Sequence, residues 1–365
     1  MQLLSSLSQN PIAAHAVGET LADILEKQNE EIDIVIVGAS EHFVGTLSEI
    51  TSTVATILRP QKVGLVCASG VIGSGFLQQS GCAIALTTFS SGSDVDLHFC
   101  SDAESAKVQG DSAVVIATPL SFSQPTFSFD VFAENHPATD IIGGVVNSDS
   151  PDGARLGFGN ELFSAGALLL SGDFEIAATQ ALSPISDDLI ITKAHGGMVM
   201  EFNNQPALSV LYDAVALTLS ESNEPIESET RRLARQQLVT SLCLIISNDG
   251  QSPVTILGAD RSTQSIALSS ALPAGTNVRI AGADDAMATH DLVATLSGGE
   301  VLSPSASGGF MLGQLTPTLM ETATDTLRTS AIGGFSASPI FAKDAQRKFL
   351  SLNGSTTAIF DRHHY

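Results

Sequence analysis

One glycine-opened frame occurs three times in this chain, and it constrains the fold more than any other feature. Gly64-Leu-Val-Cys-Ala-Ser69 reappears as Gly143-Gly-Val-Val-Asn-Ser148 and as Gly333-Gly-Phe-Ser-Ala-Ser338. Each copy is followed by a loop and a second apolar run: Gly81-Cys-Ala-Ile-Ala-Leu86, Gly166-Ala-Leu-Leu-Leu170, and Gly354 to Phe360. Paired runs bounded by Gly and Ser predict strand–turn–strand hairpins. A glycine at the same place in each frame marks backbone that turns with positive φ or lies close to another group. Two readings stay open: three ordinary hairpins, or hairpins gathered around a ligand.

The rest of the chain is read around these frames. Residues 11–28 have the spacing of an amphipathic helix, with Val17, Leu21 and Ile24 near one face. A short strand from Ile32 precedes a second helix, which Ser40 is placed to cap and which ends near Leu58, before Pro60. Ala113 to Ala117 predicts a buried strand and Phe122 to Glu134 a helix, leading into the second frame. Strand, helix, then frame therefore occurs twice in the first half, which suggests an internal duplication. Leu189 to Lys193 and Met198 to Phe202 predict strands around Gly196-Gly197, with a helix from Ala207 and a charged helix from Glu227 to Gln237. The expected fold class is α+β: mixed, largely antiparallel sheets in a layered sandwich, helices on the outer faces, in two related domains. The expected division is an N-terminal helical segment over 1–28, a first domain over 29–205 and a second over 206–365.

Charge narrows the partners. Against 39 acidic residues stand 16 basic ones, for a net charge of −23. Such a surface repels phosphate backbones and anionic bilayers, so neither nucleic acid nor membrane is an expected partner. No apolar run reaches the roughly 18 residues that span a bilayer, and the N-terminus lacks the basic and apolar regions of a signal peptide. A cytoplasmic chain with reduced, buried thiols at Cys67, Cys82, Cys100 and Cys243 is expected, since none of these forms a CxxC pair.

Compact catalytic or cofactor motifs do not emerge. Gly70-Val-Ile-Gly73-Ser-Gly75 has no Walker lysine and leads to a strand rather than a helix, so it is a poor phosphate cradle. The 8 histidines form no HExxH or similar spacing, so no metal and no cofactor is expected. Ser69, Ser148 and Ser338 lack a Gly-x-Ser-x-Gly elbow, so nucleophile chemistry has no support. The candidate ligand contacts lie at the turn ends of the frames: Ser69, Gly70, Gly143, Gly144, Asn147, Ser148, Gly333, Gly334, Phe335 and Ser336. There, bare glycines expose backbone N–H and C=O groups beside short hydroxyl and amide side chains. Lys193 and His195, at a strand end before two glycines, are candidates to neutralise a carboxylate or to act as acid and base.

These same stretches resemble the FIST family of intracellular sensory domains, which have paired N- and C-terminal parts. The resemblance runs through VGLVCASGVIGSG with GCAIAL, through IIGGVVNS, and most specifically through LIITKAHGGMVMEFNNQPALSVL. It continues in ILGADRSTQSIALSSALPAGTNVRIAGADDA and AIGGFSAS, although Ser307 to Gly313 lacks the family's C-x-G-R-G and Ser338-Pro-Ile340 its G-E-I. The resemblance implies a non-catalytic module that binds a small ligand, with amino acids as ligand class. A signalling protein, such as a kinase, cyclase or receptor, would then be a partner in trans. Two other readings stand beside it: an enzyme using Lys193 and His195 on a small metabolite, and an interaction scaffold without ligand.

Overall fold

The computed structural model describes residues 2–90, 95–122, 129–148, 153–179, 182–221, 242–246, 253–283, 285–297, 306–313, 315–343, 348–351 and 355–361. The chain forms two compact units. The first comprises Met1–Thr179, Asp291–Gln346 and Gly354–Tyr365; the second comprises Gln180–His290 and Arg347–Asn353. The passage at Gln180 lies inside the 29–205 segment of the sequence-based division.

The first unit is one supersecondary pattern used three times. In the first copy, β1 (Leu3–Ser8) and α1 (Ala13–Lys27) lead to β2 (Ile32–Ser40), α2 (Leu47–Leu58) and β3 (Lys62–Ala68). A small hairpin, β4 (Val71–Gly73) with β5 (Phe76–Gln78), then leads to β6 (Ile84–Ser90). In the second copy, β7 (Asp96–Cys100) is followed by β8 (Ser112–Ala117), α3 (Pro119–Phe122), α4 (Phe129–Asn135) and β9 (Asp140–Val146). The hairpin of β10 (Arg155–Phe158) with β11 (Glu161–Phe163) leads to β12 (Ala167–Gly172). The third copy opens at β13 (Glu175–Thr179), and the chain then builds the second unit. That unit contains β14 (Leu182–Pro184), β15 (Leu189–His195), β16 (Met198–Phe202), β17 (Gln205–Pro206), α5 (Ala207–Glu221), β18 (Cys243–Ile246), β19 (Val254–Asp260), β20 (Ser265–Leu268) and β21 (Asn277–Ala283). Through α6 (Asp285–Ser297) the chain returns to finish the third copy with β22 (Ala306–Gly313), α7 (Pro317–Leu327), β23 (Ile332–Lys343) and β25 (Ser355–Asp361), while β24 (Lys348–Ser351) falls in the second unit.

The three copies agree in every pairing direction. The outer strand is antiparallel to the last one (β1 with β6, β7 with β12, β13 with β25). The last is antiparallel to the strand before the helix (β6 with β2, β12 with β8, β25 with β22). That strand is parallel to the frame strand across the helix (β2 with β3, β8 with β9, β22 with β23). The hairpins expected from the glycine runs are therefore not formed between those runs. The strand preceding the helix lies between the two, because a strand–helix–strand connection makes the frame its parallel neighbour. The β1 strand, within the stretch expected to be only helical, was hidden by the serines of LLSSLS.

Local chemistry repeats as well. α2 ends at Arg59 and α7 at Arg328, both in the left-handed region at φ 51°, and each is followed within a few residues by a frame strand. α7 starts on Thr316, whose hydroxyl accepts the Leu319 amide, with Pro317 in the first turn. Ser40 plays no such part. A 3₁₀ turn, Glu41–Thr46, precedes α2, and the Ser40 hydroxyl instead accepts the Ala83 amide at 2.9 Å. The expected single helix from Phe122 is two short ones, α3 and α4, and the residues between them lie outside those described, as does the expected helix from Glu227 to Gln237.

Packing explains the apolar runs. β3, β8, β9 and β12 are buried along nearly their whole length, as strands covered on both faces must be. One core joins α1 and α2 to the first sheet through Val17, Leu21, Ile24, Ile50, Val54 and Leu65. Each such fully buried aliphatic side chain contributes about 1.5–3 kcal/mol.

The second unit is built on a different plan. Its strands run in the closed order β21-β15-β16-β20-β19-β18 and back to β21, all antiparallel. This is a small barrel, with Ile191, Val199, Phe202, Leu244, Ile266 and Ile280 inside and Leu208 and Leu211 of α5 packed into the same core. The chain as a whole is of the α+β class. No helix among the described residues is long and apolar enough to cross a membrane.

Candidate functional site

The three frame strands meet where their parallel pairings end, at Ala68, Val145 and Ser336. Each continues onto a frame strand of another copy: β4 pairs with β23, β10 with β3, and the end of β23 with β9. Where they meet, a ring of main-chain hydrogen bonds closes. The Ser69 N–H donates to Asn147 O at 2.9 Å, the Asn147 N–H to Ser336 O at 3.0 Å, and the Ser336 N–H to Gly70 O at 3.0 Å. One side-chain bond reinforces it, from Asn147 Nδ2 to Ser336 Oγ at 2.8 Å. The carboxyl ends of parallel strands are where open α/β arrangements place their ligands, since backbone and loop groups converge there without side-chain cover.

Most of the frame glycines serve packing. A Cβ on Gly70 would sit 2.5 Å from Ser336 Cβ, and one on Gly333 would sit 1.9 Å from Thr87 Oγ1. Gly334 combines a φ of 143° with a Cβ position 1.8 Å from Met311 O, so both its conformation and its surroundings require glycine. Gly143 and Gly144 are buried in β9, and Phe335 is buried against Phe310 at a ring separation of 5.9 Å. The residues that keep partial exposure at this end are Ser69, Asn147 and Ser148, with Ser336 buried beneath them. The ring thus presents short neutral polar groups over an apolar floor.

Ten of the twelve candidate residues lie in the first unit, and four of them, Ser69, Gly70, Asn147 and Ser336, are joined in the ring. Lys193 and His195 belong to the second unit, on the exposed hairpin of β15 and β16. The Lys193 ammonium, 61% exposed, lies 3.7 Å from Glu201 Oε1. Both side chains face solvent. Gly70 to Gly75 forms the β4–β5 hairpin, with Ser74 and Gly75 in positive φ at its turn, and opens no helix.

A feature that the sequence did not disclose lies at the opposite, amino ends of the strands. A cavity of about 440 Å³ is lined by Asp33, Lys62, Asp96, Gln109 and Asp173. It holds three carboxylates and one ammonium, and Asp173 accepts the Asp111 amide at 3.1 Å. Lys62 bonds to Asp96, and Gln61 to Asp33 at 2.7 Å. His98 Nε2 lies 2.5 Å from the other Asp96 oxygen. Burial pushes the Asp96 carboxyl up, but the Lys62 hydrogen bond, His98 and the Leu97 amide outweigh it and hold the group below the usual carboxylate range. No sequence pattern joins residues so far apart. All four cysteines are free, and burial pushes the thiols of Cys67, Cys100 and Cys243 up to about 12, which leaves them unreactive. No group of metal-binding side chains occurs among the described residues.

Comparison with known proteins bears on the first two copies. No curated protein matches the chain. The family model described as the FIST N domain matches residues 33–205, a span that opens at β2, holds the first two frames and closes at β17. The chain therefore carries a FIST N domain.

Proposed function

We propose that this protein is a non-catalytic sensor whose small ligand binds at the ring of the three frames. FIST domains belong to a family associated with small-ligand sensing in signal transduction. The observation that carries the assignment to this place is the convergence of Ser69, Asn147 and Ser336, far apart in sequence, in one hydrogen-bonded ring. The proposed contacts are Ser69, Asn147 and Ser148, with Gly70, Gly143, Gly144, Gly333, Gly334, Phe335 and Ser336 shaping the site. Lys193 and His195 are not needed for it. The ligand class is amino acids, and residues 206–365 supply the FIST C-terminal part. The protein acts in the cytoplasm and signals through a separate protein that receives the ligand-bound state.

A thermal-shift screen of the amino acids tests this reading. A ligand that binds only the folded state raises the melting temperature in proportion to the logarithm of its concentration. At least one amino acid is expected to do so in the wild type and to lose that effect in Asn147→Ala. A folded sample that no amino acid stabilises would overturn the reading.

A further inference from the structure

We infer that the ring accepts an N–H-rich group of its ligand, an ammonium or a primary amide, rather than a carboxylate, and that Ser336 sets this preference by orienting Asn147. The inference rests on the reading of the ring as the ligand site and adds its chemical polarity. A carboxylate needs donors. The backbone donors that glycine frames were expected to expose are spent within the ring, since the amides of Ser69, Asn147 and Ser336 each donate to a neighbouring frame. Apart from the Ser69 hydroxyl, which can do either, what the ring has left are acceptors. Asn147 Nδ2 is turned to Ser336 Oγ, which sends Asn147 Oδ1 the other way, and among the described residues no donor reaches that oxygen. The carbonyls of the ring each keep a second lone pair, and Ser69 Oγ accepts as well as donates. A chain of net charge −23 also favours a cationic head over an anionic one.

Ser336 is the positioning residue because it is 5% exposed and fixed in β23, whereas Asn147 is half-buried at the end of its strand. It lies outside the FIST N match, so the third copy, from the far end of the chain, fixes a side chain of the second. Without the Ser336 hydroxyl the Asn147 amide is free to rotate and can offer its NH₂ to a carboxylate.

The test uses the full chain with two probes, glycinamide and N-acetylglycine, in thermal shift and calorimetric titration. Glycinamide is expected to bind the wild type and N-acetylglycine to bind at least about tenfold more weakly. In Ser336→Ala that ratio is expected to fall severalfold, and in Asn147→Ala glycinamide binding is lost. Binding of N-acetylglycine in preference to glycinamide overturns the polarity. A second measurement needs no ligand. The Asn147 side-chain NH₂ resonances in a ¹⁵N spectrum are expected to lie away from free-amide positions and to exchange slowly with water in the wild type, and to move toward free-amide positions and exchange faster in Ser336→Ala. Unchanged resonances overturn the positioning role. Failure of both probes to bind, with the resonances shifting as expected, sinks the ring as ligand site while leaving the positioning role in place.

Discussion

The two units of this protein both close a cycle of strands, but by opposite means. The barrel of the second unit closes through antiparallel neighbours. β15 begins by alternating, with Leu189 and Ile191 inside and Ile190 outside, and the irregular register between Ile191 and Ala194 then turns Lys193 and His195 outward. The first unit joins three frame strands that are buried on both faces and meet in one main-chain ring, beyond which β23 runs on as a ladder with β9. A barrel wall sends every second side chain to solvent, so Lys193 and His195 are exposed without being special. A strand buried on both faces has nothing to show except where it stops. Polar residues at such an end, Ser69 and Asn147 among them, are therefore better markers of a site than a charged pair on a hairpin.

The largest expected effect separates the units energetically. Phe202→Ala empties the barrel core and is expected to cost about 3–5 kcal/mol there. In calorimetry it should lower one unfolding transition and leave a second near its wild-type temperature. A single transition that moves as a whole would mean that the cycles share their stability. Next is Gly334→Ala, expected to cost about 3 kcal/mol by pushing a methyl group into Met311 O. Denaturant unfolding of the first unit should reveal it, and a change below about 1 kcal/mol would show that the ring end is loosely packed.

Asn147→Ala removes one side-chain hydrogen bond while sparing the backbone ring. It should cost about 1 kcal/mol in the same assay. A much larger loss would make the side chain, not the backbone, the closure. The smallest effect concerns the amino ends. Asp96 has a folded pKa below its unfolded value, so its contribution is present above about pH 4 and is lost as pH falls through the folded pKa. The Asp96 side chain is 19% exposed and its ammonium partner 30%, so solvent screens the pair in part, and Asp96→Asn should cost about 1 kcal/mol or less at pH 7 and nothing at pH 2, by denaturant titration. An equal cost at both values would deny the ion cluster any role.

Much of this was legible in the residues, and the losses have physical causes. The frames were visible because two-sided burial forces Gly and apolar residues into a continuous run. Their partners were not, since sequence spacing alone does not say that β2 lies between β3 and β6. The third copy was hidden because the second unit interrupts it between β13 and β22. At the site, Ser69, Asn147 and Ser336 were readable as short polar residues at turn ends. That their amides would be spent on one another was not, because it depends on three segments meeting. Lys193 and His195 drew attention by charge, a property that the exposed face of any barrel shares.

The ring itself is the central claim, and residue-resolved hydrogen exchange tests it most directly. The amides of Ser69, Asn147 and Ser336 should be protected together in the wild type, although two of the residues are half-buried. Asn147→Pro, which removes one donor, should speed exchange at the other two by about tenfold or more while the second unit keeps its protection. Exchange at Ser69 and Ser336 that is unaffected by the substitution would show that the three frames end near one another without forming a ring.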